Sequence, residues 1–178
     1  LAGSPKCGKS TFAFQIALAV AEGNNVLEHY QRKDVENIFK CQDPGKVLLI
    51  SFEEGEKKFN KRLKNATDAS NIDNILFTTQ WPKLNDQEMG LKKLNDYLAN
   101  RPEIKLVIID TYAHLLIGSQ KKKTSYNAEY DVAKELKKIS DDNNVSILFL
   151  HHTVKQPKGD WLAALHGTQA LTAVADTI

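Results

Sequence analysis

The chain has 178 residues, with 24 basic and 22 acidic side chains and a formal net charge of +2. This length predicts one domain with an ordinary hydrophobic core, and the balanced charge excludes nucleic-acid binding through overall charge, so any basic binding surface must be local. No apolar run is long enough to cross a bilayer, which predicts no membrane partner. Two distant cysteines, in a sequence that shows no secretory signal, lead us to expect a reducing, cytoplasmic setting.

Helix and strand patterns alternate along the chain, which predicts an α/β domain with a largely parallel sheet. Continuous apolar runs indicate strands buried on both faces, and apolar residues at helical spacing indicate the helices between them. The predicted strands are residues 46–52, 74–79, 104–110 and 145–150, and the predicted helices are residues 10–22, 56–66, 86–100 and 126–140. Residues 118–125 and 153–167 are polar and irregular, and residues 26–45 form an insertion that the pattern does not assign.

The two ends of the sequence suggest a fragment. The chain is inside a glycine-rich motif by Gly3, and it stops at residues 175–178, which resemble the start of another strand. We therefore expect residues 1–178 to form a single domain taken from a longer protein. In that interpretation most of the first strand and a C-terminal portion lie outside the sequence.

The glycine-rich motif matches the pattern G-x-x-x-x-G-K-[ST] of a phosphate-binding loop, or P-loop. Glycines let backbone amides turn towards a common anion, and the start of the following helix adds a positive field. Lys9 is expected to reach the β- and γ-phosphates of ATP, Ser10 to offer an oxygen ligand to Mg²⁺, and Thr11 to contact the α-phosphate region. The alternative is a glycine-rich turn that binds no ligand. The candidate nucleotide ligands are Gly3, Ser4, Pro5, Lys6, Cys7, Gly8, Lys9, Ser10 and Thr11.

Acidic side chains stand at the ends of two predicted strands. Asp110 fits the aspartate that holds the hydration shell of Mg²⁺ at the tip of a strand neighbouring the P-loop strand. Glu53 is our candidate for the base that orients the attacking water, with Glu54 as its substitute, because ligands lie at the carboxyl ends of strands in open α/β sheets. The strand before Glu53 is likewise expected beside the P-loop strand. The alternatives are an ordinary aspartate at a strand end and glutamates that only begin the next helix.

Two histidines, His151 and His152, follow the predicted strand 145–150. A polar side chain at this position is suited to hydrogen-bond the γ-phosphate and to report its loss to the next loop. A structural histidine and a metal site remain as alternatives. Adjacent residues of an extended strand point to opposite faces, and the sequence has no CxxC or HExxH motif, so the sensor interpretation is favoured over metal.

Taken together, these segments resemble the RecA-like ATPases of the RepA group, the hexameric plasmid replicative helicases, and their AAA-domain relatives. The resemblance covers essentially the whole chain and is carried by GSPKCGKST, VLLISFEEGEKKFNKRL, LVIIDTYAHL, ILFLHHTVK and HGTQALTAVADTI, in that order. It implies a RecA-like fold, with a twisted, mainly parallel sheet and helices on both faces. It also implies that Lys9 and Ser10 bind phosphate and Mg²⁺, that Asp110 is the Walker B acid, and that Glu53 and His152 are the catalytic carboxylate and the γ-phosphate sensor.

The resemblance further implies a homo-oligomer, a hexameric ring in which ATP lies between subunits and a basic residue of the neighbour completes the site. None of the three arginines, Arg32, Arg62 and Arg101, is evident as that residue. Loops that face the central channel would contact single-stranded DNA, although a lysine run is also typical of a solvated loop. The candidate DNA-contacting residues are Lys121, Lys122, Lys123, Lys155 and Lys158.

The favoured function is therefore Mg²⁺-dependent ATP hydrolysis that drives DNA unwinding or translocation. The alternative is an ATP-dependent regulatory or recombination-mediator switch without helicase activity. A small-molecule kinase fits less well, because such enzymes carry arginine-rich lids and this chain has three arginines in all.

Overall fold

The computed structural model describes residues 1–26, 40–66, 73–84, 89–112, 126–152 and 174–176. Within these ranges the strands are β1 (Ala2–Gly3), β2 (Lys46–Ser51), β3 (Ile75–Thr78), β4 (Ile104–Asp110) and β5 (Ser146–His152). The helices are α1 (Lys9–Glu22), α2 (Glu56–Ala66), α3 (Gly90–Ala99) and α4 (Tyr126–Asn143). None of the helices in this part of the chain is long and apolar enough to span a membrane.

The five described strands form one sheet in the order β1-β5-β4-β2-β3, and every pairing between them is parallel. The register places Ser51 opposite Asp110, Asp110 opposite Leu150, and Gly3 opposite His152. The carboxyl ends of β1, β2, β4 and β5 therefore meet at one edge of the sheet.

Helices cover both faces of this sheet, as the resemblance implied. Because side chains alternate along a strand, Leu106 and Ile108 pack on one side of β4 with the buried residues of α1 and α2. Val107 and Ile109 pack on the other side with α3 and α4. Burial on both faces explains why the central strands are continuous apolar runs and not alternating ones.

One expectation about strand order is wrong. The strands that end at Asp110 and before Glu53 do not lie beside the P-loop strand, because β5 lies between β1 and β4. An apolar run shows that a strand is buried, but the path of the crossover connections decides which strand becomes its neighbour. The four strand ends still share one edge, so the expected meeting of the side chains does not depend on this adjacency.

The boundaries of some elements differ from the predicted ones. The last strand continues to His152, because Ala2 and Gly3 of β1 pair with His151 and His152. The final helix runs to Asn143 instead of residue 140, and the third helix begins at Gly90 after residues 85–88, which are not described.

The unassigned insertion has closely spaced ends. Asn25 forms an isolated antiparallel bridge with Lys40, and the Cys41 amide donates to the Asn24 carbonyl oxygen at 3.1 Å. The Gly45 amide then donates to the Val20 carbonyl oxygen at 3.0 Å, which leads the chain directly into β2.

Leu94 is expected to stabilise the core between α3, α4 and the sheet, because its side chain is fully buried in that cluster. Leu94→Ala should lower the free energy of unfolding by about 2–5 kcal/mol, measured by urea denaturation. The matched control is Lys92→Ala, an exposed position of the same helix, which should change it by less than about 0.5 kcal/mol. Equal effects of the two substitutions would contradict this packing.

Candidate active site

The P-loop connects β1 to α1 through two left-handed residues. Lys6 has φ 64° and Gly8 has φ 92°, and the Phe12 amide donates to the Gly8 carbonyl oxygen at 2.9 Å as the helix begins. A Cβ atom at Gly3 would lie 2.8 Å from Cys7 Sγ, so the first glycine permits the close approach of the two ends of the loop. No side chain caps the start of α1, and its first turn has no acidic residue. The first turn therefore keeps the backbone donors and the positive field that favour an anion.

The ammonium group of Lys9 lies inside this loop. Its Nζ donates to the carbonyl oxygens of Gly3 at 2.9 Å and Ser4 at 2.8 Å, and only 7% of the residue is exposed. Cys7 Sγ is 3.8 Å away. A buried ammonium needs nearby oxygens, and these carbonyls place the charge at the centre of the loop, where a phosphate is its natural partner.

Asp110 is buried at the end of β4, with 5% of the residue exposed and Oδ1 without a hydrogen-bond partner in the described structure. Burial raises the pKa of Asp110 above its usual 3.8, and the charge of Glu53 raises it further. A hydrogen bond from Ser10 and the charges of His152 and Lys9 act in the opposite direction. These influences show that the five side chains lie close together.

Glu53 and Glu54 point to different partners. Glu53 Oε1 is 2.9 Å from His152 Nε2, which brings the end of β2 to the end of β5 across the tip of β4. Glu54 faces α2, where its Oε2 accepts a hydrogen bond from Arg62 Nη2 at 2.6 Å. Glu53 is therefore the glutamate of the pair that faces the P-loop and Asp110.

The two histidines at the end of β5 have different surroundings. An ionised carboxylate only accepts hydrogen bonds, so His152 Nε2 donates to Glu53 when Glu53 is charged. His151 Nδ1 is buried without a hydrogen-bond partner in the described structure. Burial lowers the pKa of His151, and the charges of His152, the amino terminus and Lys9 lower it further. His151 is therefore held neutral beside the loop.

The remaining predicted residues give a mixed result. Ser4, Pro5, Cys7 and Thr11 lie in the loop and the first turn of α1, as expected. The lysines proposed to contact DNA, Lys121, Lys122, Lys123, Lys155 and Lys158, lie outside the described residues. In the described part of the chain, no group of three or more His, Cys, Asp or Glu side chains is arranged to hold a metal ion.

Arg62 is a residue near the site that sequence reasoning did not include. Its guanidinium contacts Glu54 and lies 4.1 Å from the ring centroid of Phe14 in α1. The signal was present in the spacing, because Glu54, Lys58 and Arg62 recur every four residues, the interval that brings side chains together along a helix.

A family model described as an AAA domain matches residues 1–158. The chain belongs to the AAA domain family. Membership of this family supports ATP binding and ATP hydrolysis by the chain. A search of the curated proteins finds no significant match.

Among solved structures, the AAA domain described here matches one titled as the ATPase domain of another protein, with a TM-score of 0.64 and 18% sequence identity. The match covers 98% of this chain and 65% of that chain. It shows that the AAA domain has a RecA-like α/β fold. This chain thus spans somewhat less than two thirds of the length of the matched one.

The buried charge of Asp110 should make this AAA domain less stable than it would be with a neutral side chain. Because the folded-state pKa is raised, the charge costs stability at neutral pH, and the cost disappears as the pH falls through the folded-state pKa towards 3.8. Asp110→Asn should therefore raise the free energy of unfolding at pH 7, measured by urea denaturation in EDTA, and the gain should shrink near pH ~4.

The control for Asp110→Asn is Asp96→Asn at an exposed position of α3, which should change little at either pH. A loss of stability on Asp110→Asn at pH 7 would show that the carboxylate is stabilised by its neighbours and not penalised by burial.

Proposed function

We propose that the chain binds ATP with Mg²⁺ in the loop 3–11 and hydrolyses it with Glu53 as the general base. The observation that carries this proposal is the contact of 2.9 Å between Glu53 and His152, beside Asp110 and facing the buried ammonium of Lys9. A base, a hydrogen-bond donor, an acid and a cation at one sheet edge are the groups that ATP hydrolysis requires.

The loop residues would bind the triphosphate. The backbone amides of residues 6–11 would surround it, and Lys9 would exchange one or both carbonyl partners for phosphate oxygens. A charged acceptor forms a stronger hydrogen bond with an ammonium than a carbonyl does, which favours that exchange.

Ser10 and Asp110 are the residues that would hold Mg²⁺. Both offer oxygen atoms, the ligands that this hard cation prefers, and Oδ1 of Asp110 is buried without a hydrogen-bond partner in the described structure. This donor set fits the ion, whose bound charge would offset that of the phosphates. The raised pKa of Asp110 agrees with this role, because a neighbouring cation favours the charged form that burial disfavours.

Glu53 would accept a proton from the water that attacks the γ-phosphorus. Glu54 is less suited to this role, because its side chain is only 11% exposed and is paired with Arg62. His152 would act as the γ-phosphate sensor, since a γ-phosphate oxygen can replace Glu53 as the acceptor of its Nε2–H. In that exchange the loss of phosphate after hydrolysis returns His152 to Glu53.

We further propose that hydrolysis drives unwinding or translocation of DNA by a hexameric ring, as in RepA-like helicases. The support is the order of motifs along the chain and the lysines of residues 121–123, 155 and 158 in the two polar loops. Arg62 does not serve as the residue that completes a neighbouring site, because it is paired within its own chain. A regulatory ATPase without helicase activity is the second candidate.

Exchange of Glu53 for Gln should separate binding from hydrolysis. Glu53→Gln should bind ATP with Mg²⁺ but lose about 10²–10⁴-fold in kcat, because the amide cannot accept the proton. Binding is measured with fluorescent ATP and hydrolysis by phosphate release. Glu54→Gln is the matched control and should keep most of the activity, and Lys9→Ala should lose both binding and hydrolysis. Wild-type turnover by Glu53→Gln would refute the assigned base.

Single-stranded DNA should stimulate ATP hydrolysis by the full-length protein, and added salt should weaken the effect because lysine contacts to phosphates release counterions. Replacing Lys121, Lys122 and Lys123 with Ala should abolish the stimulation and leave basal hydrolysis intact. The same charge change at Lys57, Lys61 and Lys64, exposed on α2, is the control. Absence of both stimulation and strand displacement in the wild type would favour the regulatory ATPase.

A further inference from the structure

The guanidinium of Arg62 joins three elements around the active site. It donates to Glu54 Oε2 at 2.6 Å in the turn after β2, and its carbon lies 4.1 Å from the ring centroid of Phe14 in α1 and 5.8 Å from that of Phe59 in α2. The Arg62 side chain is 28% exposed and that of Glu54 only 11%. The ion pair is therefore shielded from solvent, unlike an ordinary surface pair.

The aromatic side of this arrangement is rigid. Phe14 and Phe59 meet edge to face, with 5.9 Å between ring centroids, and Phe59 stacks on Phe77 of β3 at 4.0 Å with an interplanar angle of 7°. Phe59 and Phe14 are almost completely buried. Arg62 thus rests on rings that are fixed by the core and cannot easily move aside.

The turn that carries Glu53 is fixed on both sides of that residue. The Phe52 amide donates to the Asp110 carbonyl oxygen at 2.8 Å, and the Glu54 amide donates to Ser51 Oγ at 3.2 Å. The Glu54 side chain is then held against α2 by Arg62. Glu53, between these anchors, reaches the opposite way to His152, so its direction depends on Glu54 remaining on the α2 side.

Stability alone does not account for this pair. A shielded ion pair commonly adds little to stability compared with apolar residues of the same volume, since desolvation offsets the attraction. Arg62 Nε is, in addition, buried without a hydrogen-bond partner in the described structure, which is a further cost. What an apolar pair would not provide is a directional bond that holds Glu54 and thereby the turn.

We propose that Arg62 is a positioning residue for ATP hydrolysis: by holding Glu54 against α2, it directs Glu53 towards the nucleotide site. Through Phe14, which lies one turn after Ser10 in α1, the same guanidinium ties the turn to the helix that follows the P-loop. This inference rests on the proposed role of Glu53 as the base.

The decisive variant is Arg62→Met in the full-length protein. Methionine keeps the length and the apolar contact with Phe14 but has no group that binds Glu54. We expect kcat to fall roughly 10- to 100-fold, the range that a misplaced catalytic group produces, while the Kd for a non-hydrolysable ATP analogue stays within about twofold. The Kd is preserved because Lys9 and Ser10 do not depend on Arg62, and the melting temperature should change little.

Two further variants test the route through Glu54. Arg62→Lys keeps the charge but not the planar fork, and should regain part of the lost kcat. Glu54→Ala should lower kcat as Arg62→Met does, and the double variant should fall no further, because both remove one interaction. The matched control is Lys58→Ala, since Lys58 lies 3.9 Å from Glu54 but is 82% exposed, and it should retain the wild-type kcat.

Three results would overturn the inference. The first is a folded Arg62→Met variant with wild-type kcat. The second is a kcat that falls only in step with melting temperature and ATP affinity, which would indicate a structural role. The third is additive losses in the double variant. Glu53→Gln, measured in parallel, keeps the two proposals apart: its full activity would refute the assigned base, whereas its inactivity beside an active Arg62→Met would refute the role of Arg62 alone.

Discussion

Parallel alignment of the strands is the constraint on which the site depends. Since all the described strands run in one direction, each one ends at the same edge of the sheet, and residues far apart in sequence arrive there together. Glu53, Asp110 and His152 come from three such ends, and the P-loop follows a fourth. Hydrophobic burial on both faces holds this alignment, so the groups that perform the chemistry are positioned by strands that take no part in it.

The site combines groups that are expensive to bury. Lys9 and Asp110 are both charged in their useful forms and both nearly excluded from solvent. Lys9 is compensated by carbonyl oxygens, whereas one oxygen of Asp110 has no hydrogen-bond partner in the described structure. Such an uncompensated group is typical of sites that are organised for a ligand and not for maximal stability. The folded core, with its aromatic cluster of Phe14, Phe59 and Phe77, provides the stability that this arrangement consumes.

Much of this could be predicted from the sequence, for reasons that are local. The apolar runs at residues 47–50 and 106–109 indicate buried strands because each residue contributes to one of two covered faces, and the P-loop is recognisable because backbone chemistry sets its spacing. Strand order could not be predicted, since the run ending at His152 carries no information that β1 is its neighbour. Nor could Glu53 be separated from Glu54 with certainty, because they are adjacent and identical. The difference lies in Arg62, whose place depends on tertiary packing against Phe14.

The bridge between Asn25 and Lys40 has a consequence for how this domain can vary. It closes the insertion at its base, so the segment between these two residues leaves and rejoins the fold at one point. The entropy of closing such a loop grows only with the logarithm of its length, and doubling the number of residues costs about 0.6 kcal/mol. Relatives can therefore lengthen, shorten or replace this segment with little penalty to the sheet, and a peptide tag placed there would leave the nucleotide site undisturbed.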